Sequence, residues 1–170
     1  MSNLKKLIYK KSITNELLNI KKDLIKDCLK QRIKLNPKLA YNFEVESKHK
    51  NYLYNIFYHT SKSYLNNFTL HDVDFKLWCY LSDKNFHKGR WHNHLKTSTI
   101  NCVIYLKTQN KGINFKHNHK EINILPKEND LLIFPNFLDH YPEPSKKEPR
   151  ITLNLEFRCK EDAKDIFYRR

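Results

Sequence analysis

Glycine is nearly absent from this chain, with only Gly89 and Gly112 in 170 residues, so its turns must rely on Asn, Asp, Lys and Pro. Cysteine is sparse and scattered. Cys28, Cys79, Cys102 and Cys159 form no Cys-x-x-Cys pair, which argues against a disulfide framework and for buried or free thiols in a reducing compartment. No apolar run approaches a membrane span, and Met1 to Lys6 is not followed by an apolar core of signal-peptide length. The expectation is a soluble cytoplasmic protein without a membrane partner. There is no internal repeat, linker or low-complexity spacer, and at this length one domain can bury about two thirds of its unfolded surface.

Positive charge is abundant. The chain carries 32 Lys and Arg against 18 Asp and Glu, a net charge of +14, yet only six of the basic residues are arginine. Lysine drift in an AT-rich genome is the economical explanation. The excess is uneven: residues 1–50 hold 13 basic and 5 acidic side chains, and residues 51–170 hold 19 and 13. A basic N-terminal region can attract phosphate or an acidic partner, so nucleic acid stays on the roster of partners, behind a peptide or a small molecule.

The first seventy residues read as helical support. Leu4 to Ile13 is expected to be a short strand. Ser12 or Thr14 then caps a helix presenting Leu17, Leu18, Leu24, Ile25, Cys28 and Leu29 on one face and ending at Asn36-Pro37. A second helix starts at Ser47, with Leu53, Ile56, Phe57, Tyr64 and Leu65 as its buried stripe, and stops near Asn66-Asn67. Strands dominate from residue 75 onward: 75–81, 91–94, 100–107, 113–116, 122–125, 130–134 and 151–157. Residues 158–170 form a tail whose segment from Glu161 reads as a short helix. Seven strands after two helices predict a mostly β fold, a jelly-roll or cupin-like double-stranded β-helix core over 75–157.

Chemistry concentrates between Trp91 and Thr152. Side chains two apart on a strand share a face, so His92 and His94 can reach one ion. His140 follows the buried-looking run Asp130 to Pro135 and is the natural third ligand. Three protein ligands on one side leave other positions open, a reactive rather than a structural arrangement. Ten residues past His140, Arg150 opens the alternating run Arg150 to Phe157, whose polar set Arg150, Thr152, Asn154 and Glu156 shares one face. If that face lines the interior, Arg150 is a bidentate receptor for a carboxylate and Thr152 offers a second hydrogen bond.

The segment Tyr80 to Phe157 resembles the iron(II)- and 2-oxoglutarate-dependent dioxygenases, nearest the prolyl-hydroxylase-like group found in phage and marine bacterial genomes. Their pattern is His-x-Asp, a His about fifty residues later, and an Arg or Lys ten residues beyond. His92 matches the first ligand, His140 the distal ligand and Arg150 the residue that holds the far carboxylate of 2-oxoglutarate. Cys102-Val103-Ile104-Tyr105-Leu106 is similar to the strand whose tyrosine supports that carboxylate, and Cys79-Tyr80 to a pair whose tyrosine lines the site. The resemblance implies an oxidoreductase: a hydroxylase that uses iron(II) and 2-oxoglutarate, with ascorbate as a further candidate, and releases succinate and carbon dioxide. A peptide side chain is the first choice of substrate, a small molecule the second and a nucleic-acid base the third.

One departure matters. His94 stands where the family has its carboxylate ligand, which removes a negative charge and suits zinc, copper and nickel as well as iron. Either His94 binds the metal directly, or His92 and His140 bind it while His94 hydrogen-bonds to bound water. Two other classes compete with the dioxygenase reading: a metal cupin that uses no keto acid, and a non-catalytic jelly roll. The plainer readings are a surface salt bridge from Arg150 to Glu148 or Glu156, core aromatics at Tyr80 and Tyr105, and a solvated turn at His117-Asn118-His119. The loop 82–90, with Phe86 and His87, reads as a substrate lid or an ordinary connection.

Overall fold

The computed structural model describes residues 3–36, 41–71, 75–85 and 88–168. Pro37, Phe86 and His87, named above at a helix end and in the 82–90 loop, lie outside the described residues.

Among the described residues nine strands form two antiparallel sheets. The larger is ordered β1-β7-β4-β9-β3-β2, from strands Tyr9–Ser12 (β1), Asn42–Glu44 (β2), Leu77–Ser82 (β3), Ile100–Lys107 (β4), Asp130–Pro135 (β7) and Arg150–Phe157 (β9). The smaller is ordered β6-β5-β8, from Ile113–His117 (β5), Lys120–Ile124 (β6) and Asp139–Pro142 (β8). The sheets meet through Phe115 of β5 and Phe134 of β7, whose ring centroids lie 4.9 Å apart edge to face. This is the expected double-stranded β-helix.

The helices are α1 (Asn3–Lys6), α2 (Thr14–Leu17), α3 (Lys21–Lys34), α4 (Lys50–Tyr64) and α5 (Ala163–Tyr168). Leu24, Cys28, Leu53 and Phe57 are buried, and α4 touches the large sheet through Ser61 Oγ, 3.6 Å from Cys102 Sγ, and Tyr54, edge-on to Phe157. The odd residues of β9, Ile151, Leu153, Leu155 and Phe157, are buried, while its even residues line a cavity between the sheets that Leu155 and Phe157 also border. A period of two therefore splits β9 into a packing face and a site face.

Several elements differ from the sequence reading. Leu4 to Ile13 is one helical turn followed by β1, because only Tyr9 to Ser12 finds a partner, in β7. Neither Ser12 nor Thr14 caps a helix backbone; their hydroxyls bond each other at 3.0 Å. The long first helix is broken at residues 18–20, and Leu18 and Leu29 are exposed instead of sharing the buried face. The second helix begins at Lys50, and Ser47 instead accepts from the His49 amide. Residues 91–94 form no strand; an isolated bridge joins His92 to His140. The strands β2 and β8 were not foreseen, being short and mostly polar, with only Phe43 and His140 buried.

Turns bear out the glycine shortage. Asn36, Gln109, Asn110, Asn118, His119 and Asn129 all adopt positive φ. Asn118 and His119 are the two central residues of the β5–β6 hairpin, the conformation a two-residue primed turn demands. The decoy pair His117-Asn118-His119 is thus a turn, with His117 Nε2 3.3 Å from the Tyr168 hydroxyl. Gly89 has a different job: a Cβ there would lie 2.7 Å from the Tyr141 ring and 2.9 Å from the Pro142 carbonyl, so glycine lets the 88–90 segment close against β8.

Candidate metal and carboxylate site

His92, His94 and His140 come together, each offering a ring nitrogen within 4.8 Å of the others. No strand carries the first two. Instead the His92 and His140 backbones exchange hydrogen bonds of 3.1 and 2.8 Å, and the His94 amide donates to the Asn136 carbonyl at 3.0 Å. Residues 92–94 are thereby clamped against β8 and the turn before it.

The ring orientations follow from hydrogen-bond chemistry. A carbonyl oxygen can only accept, so Nδ1 of His92, 3.1 Å from the Arg90 carbonyl, and Nδ1 of His140, 3.1 Å from the Leu138 carbonyl, must carry protons. Their Nε2 lone pairs are left for a metal. His94 is held differently, with its Nδ1 2.9 Å from Glu156 Oε1 and 3.3 Å from the Thr97 hydroxyl. Burial is the largest single influence and raises the Glu156 carboxyl, but the hydrogen bond and charge of His94, the Thr97 hydroxyl and the charge of Arg158 together outweigh it and hold the carboxyl below its ordinary range. Glu156 is therefore ionised, and His94 donates to it through Nδ1. Such tethers fix ring angle and tautomer in metal centres.

Burial also favours the neutral form of His140 and His92. Desolvation, aided by the neighbouring His92, pulls His140 down to about 3, and desolvation likewise lowers His92. Neutral imidazole is the form that ligates.

Arg150 lies in the same cavity, 1% exposed. Its guanidinium carbon sits 5.4 Å from the Tyr80 ring and 5.5 Å from the Tyr105 ring. The pairing register explains this: Thr152 of β9 is flanked by Tyr80 of β3 and Tyr105 of β4, so the three share one row on the cavity face. Arg150 Nε and Nη1 and both tyrosine hydroxyls are buried without a hydrogen-bond partner among the described residues. Four orphaned polar atoms clustered around a buried cation are costly unless a ligand satisfies them. Burial pushes the Tyr105 hydroxyl up to about 12, against the opposing charge of Arg150, so it stays a neutral donor. Tyr80 is raised in the same way.

The site residues singled out in the sequence thus converge in one cavity of about 1140 Å3, as do Asn154 and Glu156. The plain alternative for Arg150, a salt bridge to Glu148 or Glu156, is not formed, because Glu156 is engaged by His94. Thr152 spends its hydroxyl on Asn154 Oδ1 at 3.4 Å. What sequence reasoning missed was the Glu156–His94 pair and the two carbonyl tethers. The only available signal for Glu156 was its parity with Arg150 on β9.

These residues fit a metal and a dicarboxylate: three tethered imidazoles suit a divalent transition metal, and the unpartnered donors around Arg150 suit an anion. No family model matches the chain, and no curated protein sequence does. Solved structures do. A prolyl-4-hydroxylase from Pseudomonas putida superposes with a TM-score of 0.64 at 14% identity, covering 91% of this chain and 94% of that one. The non-heme alpha-ketoglutarate-dependent carbocyclase SnoK from nogalamycin biosynthesis gives 0.58 at 8%, covering 92% and 83%. A Phytophthora capsici prolyl 4-hydroxylase gives 0.58 at 12% over 80% of this chain, which spans 54% of that one. At such identities the likeness establishes a common fold, the double-stranded β-helix of these oxygenases. Among the described residues no helix is long and apolar enough to cross a membrane.

Proposed function

We propose that the protein is an iron(II)- and 2-oxoglutarate-dependent dioxygenase that hydroxylates a C–H bond. The observation that carries this reading is the placing, in one cavity, of three tethered imidazoles and a buried guanidinium with unpartnered donors. A metal cupin without keto acid would leave Arg150 with no ligand, and a non-catalytic jelly roll would need neither group.

His92, His94 and His140 hold the metal in this reading. Iron(II) held there would supply the chemistry by which dioxygen gives one oxygen atom to 2-oxoglutarate, forming succinate and carbon dioxide, and the other to a substrate C–H bond as hydroxyl. Arg150 receives the distal carboxylate through Nε and Nη1, and the Tyr80 and Tyr105 hydroxyls donate to the same oxygens. The buried row Tyr80, Thr152 and Tyr105 keeps water from that carboxylate, which strengthens each charge-assisted bond.

Glu156 addresses the departure at His94. A three-imidazole set brings no negative charge, whereas the His94–Glu156 pair adds one through the ring without occupying a coordination position. This favours His94 as a direct ligand over one that merely bonds to metal-bound water, since Nδ1 is engaged and Nε2 is left free.

The test is anaerobic addition of iron(II) and then 2-oxoglutarate, followed by visible absorption. A weak metal-to-keto-acid band that requires both additions is expected. Bound iron with no band would transfer the assignment to the cupin class.

A further inference from the structure

The cavity is larger than the proposed metal and five-carbon diacid need. At about 1140 Å3 it exceeds the roughly 300–1,000 Å3 of an ordinary small-ligand pocket. Its wall beyond the histidines and Arg150 carries Lys76, Lys88, Arg90 and Arg158, while among the described residues Glu156 is the single carboxylate in the lining and is taken by His94.

These cations are not equivalent. Lys76 is paired with Glu44 at 3.2 Å. The Arg158 guanidinium is held in place by the carbonyls of Thr97 (2.9 Å) and Lys96 (3.5 Å), uncharged acceptors that fix its position. Lys88 and Arg90 are exposed and make no ion pair among the described residues. The same lining carries aromatic side chains: Tyr54 stacks on Phe75 with centroids 4.5 Å apart, Lys50 Nζ lies 4.8 Å from the Phe75 centroid, and Trp78 of β3 is half-buried on the cavity face.

Fixed and free cations in one cavity with planar rings suit a ligand that is anionic and planar at once. We infer that the substrate is a nucleoside phosphate, free or within a single strand, with phosphate among Lys88, Arg90 and Arg158 and its base against Trp78. An acidic peptide would use the cations and leave the flat walls without a planar partner. This rests on the oxygenase reading of the cavity floor and extends it to the mouth.

The net charge of +14 sets the control. Fluorescence anisotropy of a labelled twelve-nucleotide single strand would be followed on the full chain loaded with iron(II), without oxygen, at fixed moderate salt. A mononucleotide and polyglutamate serve as competitors. Lys88→Glu/Arg90→Glu reverses two charges at the mouth, and Lys26→Glu/Lys30→Glu reverses two on α3, outside the cavity. The mouth variant should bind about tenfold or more weakly than the control variant, since it loses two phosphate contacts. Trp78→Ala should cost about fivefold or more.

Competition by the mononucleotide identifies the free form as ligand, and competition by the strand alone identifies the polymer. Either outcome supports the inference. Equal losses in the two charge variants, displacement by polyglutamate but not by nucleotides, or no binding at all would overturn it. Failure of the oxygenase reading looks different: the keto-acid band would be missing while strand binding persisted.

Discussion

The two ends of the cavity are built on different principles. The carboxylate end stands on three central strands, β3, β9 and β4, where Tyr80, Thr152, Tyr105 and Arg150 are all buried and locked into one register. The metal end stands on a short strand and two irregular segments, and His92 and His94 remain half-exposed. Strand order alone positions the first group. The second depends on side-chain and backbone tethers: the carbonyls of Arg90 and Leu138, and the Glu156 carboxylate. A receptor for a permanent charge can be dry and rigid, whereas a metal with exchangeable positions needs access, and its precision must come from hydrogen bonds to the ligands.

The contrast breaks most sharply at His140, the buried member of the metal end. His140→Ala should abolish stoichiometric iron binding, read as metal content after gel filtration, while 2-oxoglutarate still protects the protein weakly against thermal unfolding. Retained iron would dismiss the triad.

Arg150→Met should do the reverse, sparing iron but weakening 2-oxoglutarate by about 100-fold, the scale of losing a buried charge-assisted pair of bonds. The ligand-free protein should at the same time become more stable, by about 1–3 kcal/mol, because an unpartnered buried cation is gone. Isothermal titration and thermal melts check the two halves, and a drop in melting temperature would contradict the second.

Glu156→Gln keeps the shape and removes the charge behind His94, so iron affinity should fall about 10–100-fold with 2-oxoglutarate affinity in the loaded protein little changed. Unchanged competition against a chelator would leave Glu156 with no part in the centre.

In the metal-free protein, pH probes the same end. His140 titrates near 3 when folded, against 6.5 ordinarily, so the unfolded chain binds the extra proton between those values. Stability is complete above about pH 6.5 and is lost as pH falls toward 3; from pH 7.5 to 5 the loss is about 2 kcal/mol, roughly 4–8 °C in Tm. The slope should flatten in His140→Gln. The smallest effect belongs to Tyr105→Phe, which removes one of several donors at the rigid end and should raise the 2-oxoglutarate requirement about fivefold. A change as large as that of Arg150→Met would mean the tyrosine, not the guanidinium, is the principal receptor.

Long periodic elements were legible. The boundaries of β4 match the sequence reading, and β7 and β9 differ from it by one residue, because six to eight apolar or alternating positions in a row leave few registers that bury them. Short polar pieces were not. The β8 strand offers only Asp139 to Pro142 and exists because β5 pairs with it, and residues 91–94 match a strand pattern yet pair only at His92. The exposed Leu18 shows the same limit from the other side, since the helical period continues across a break that packing imposes.

The sequence by itself determined the donors and their phase: His92 two before His94, His140 ten before Arg150, and four polar residues on one face of β9. Those relations are local, set by a backbone period of two and by spacing along the chain. Only the tertiary structure decided who meets whom. That Tyr80 and Tyr105 flank Thr152, that Glu156 turns to His94 and leaves Arg150 unpaired, and that His92 pairs with His140 all follow from strand order across distant segments. Strand order is fixed by the burial of the whole core, which no single window of sequence contains.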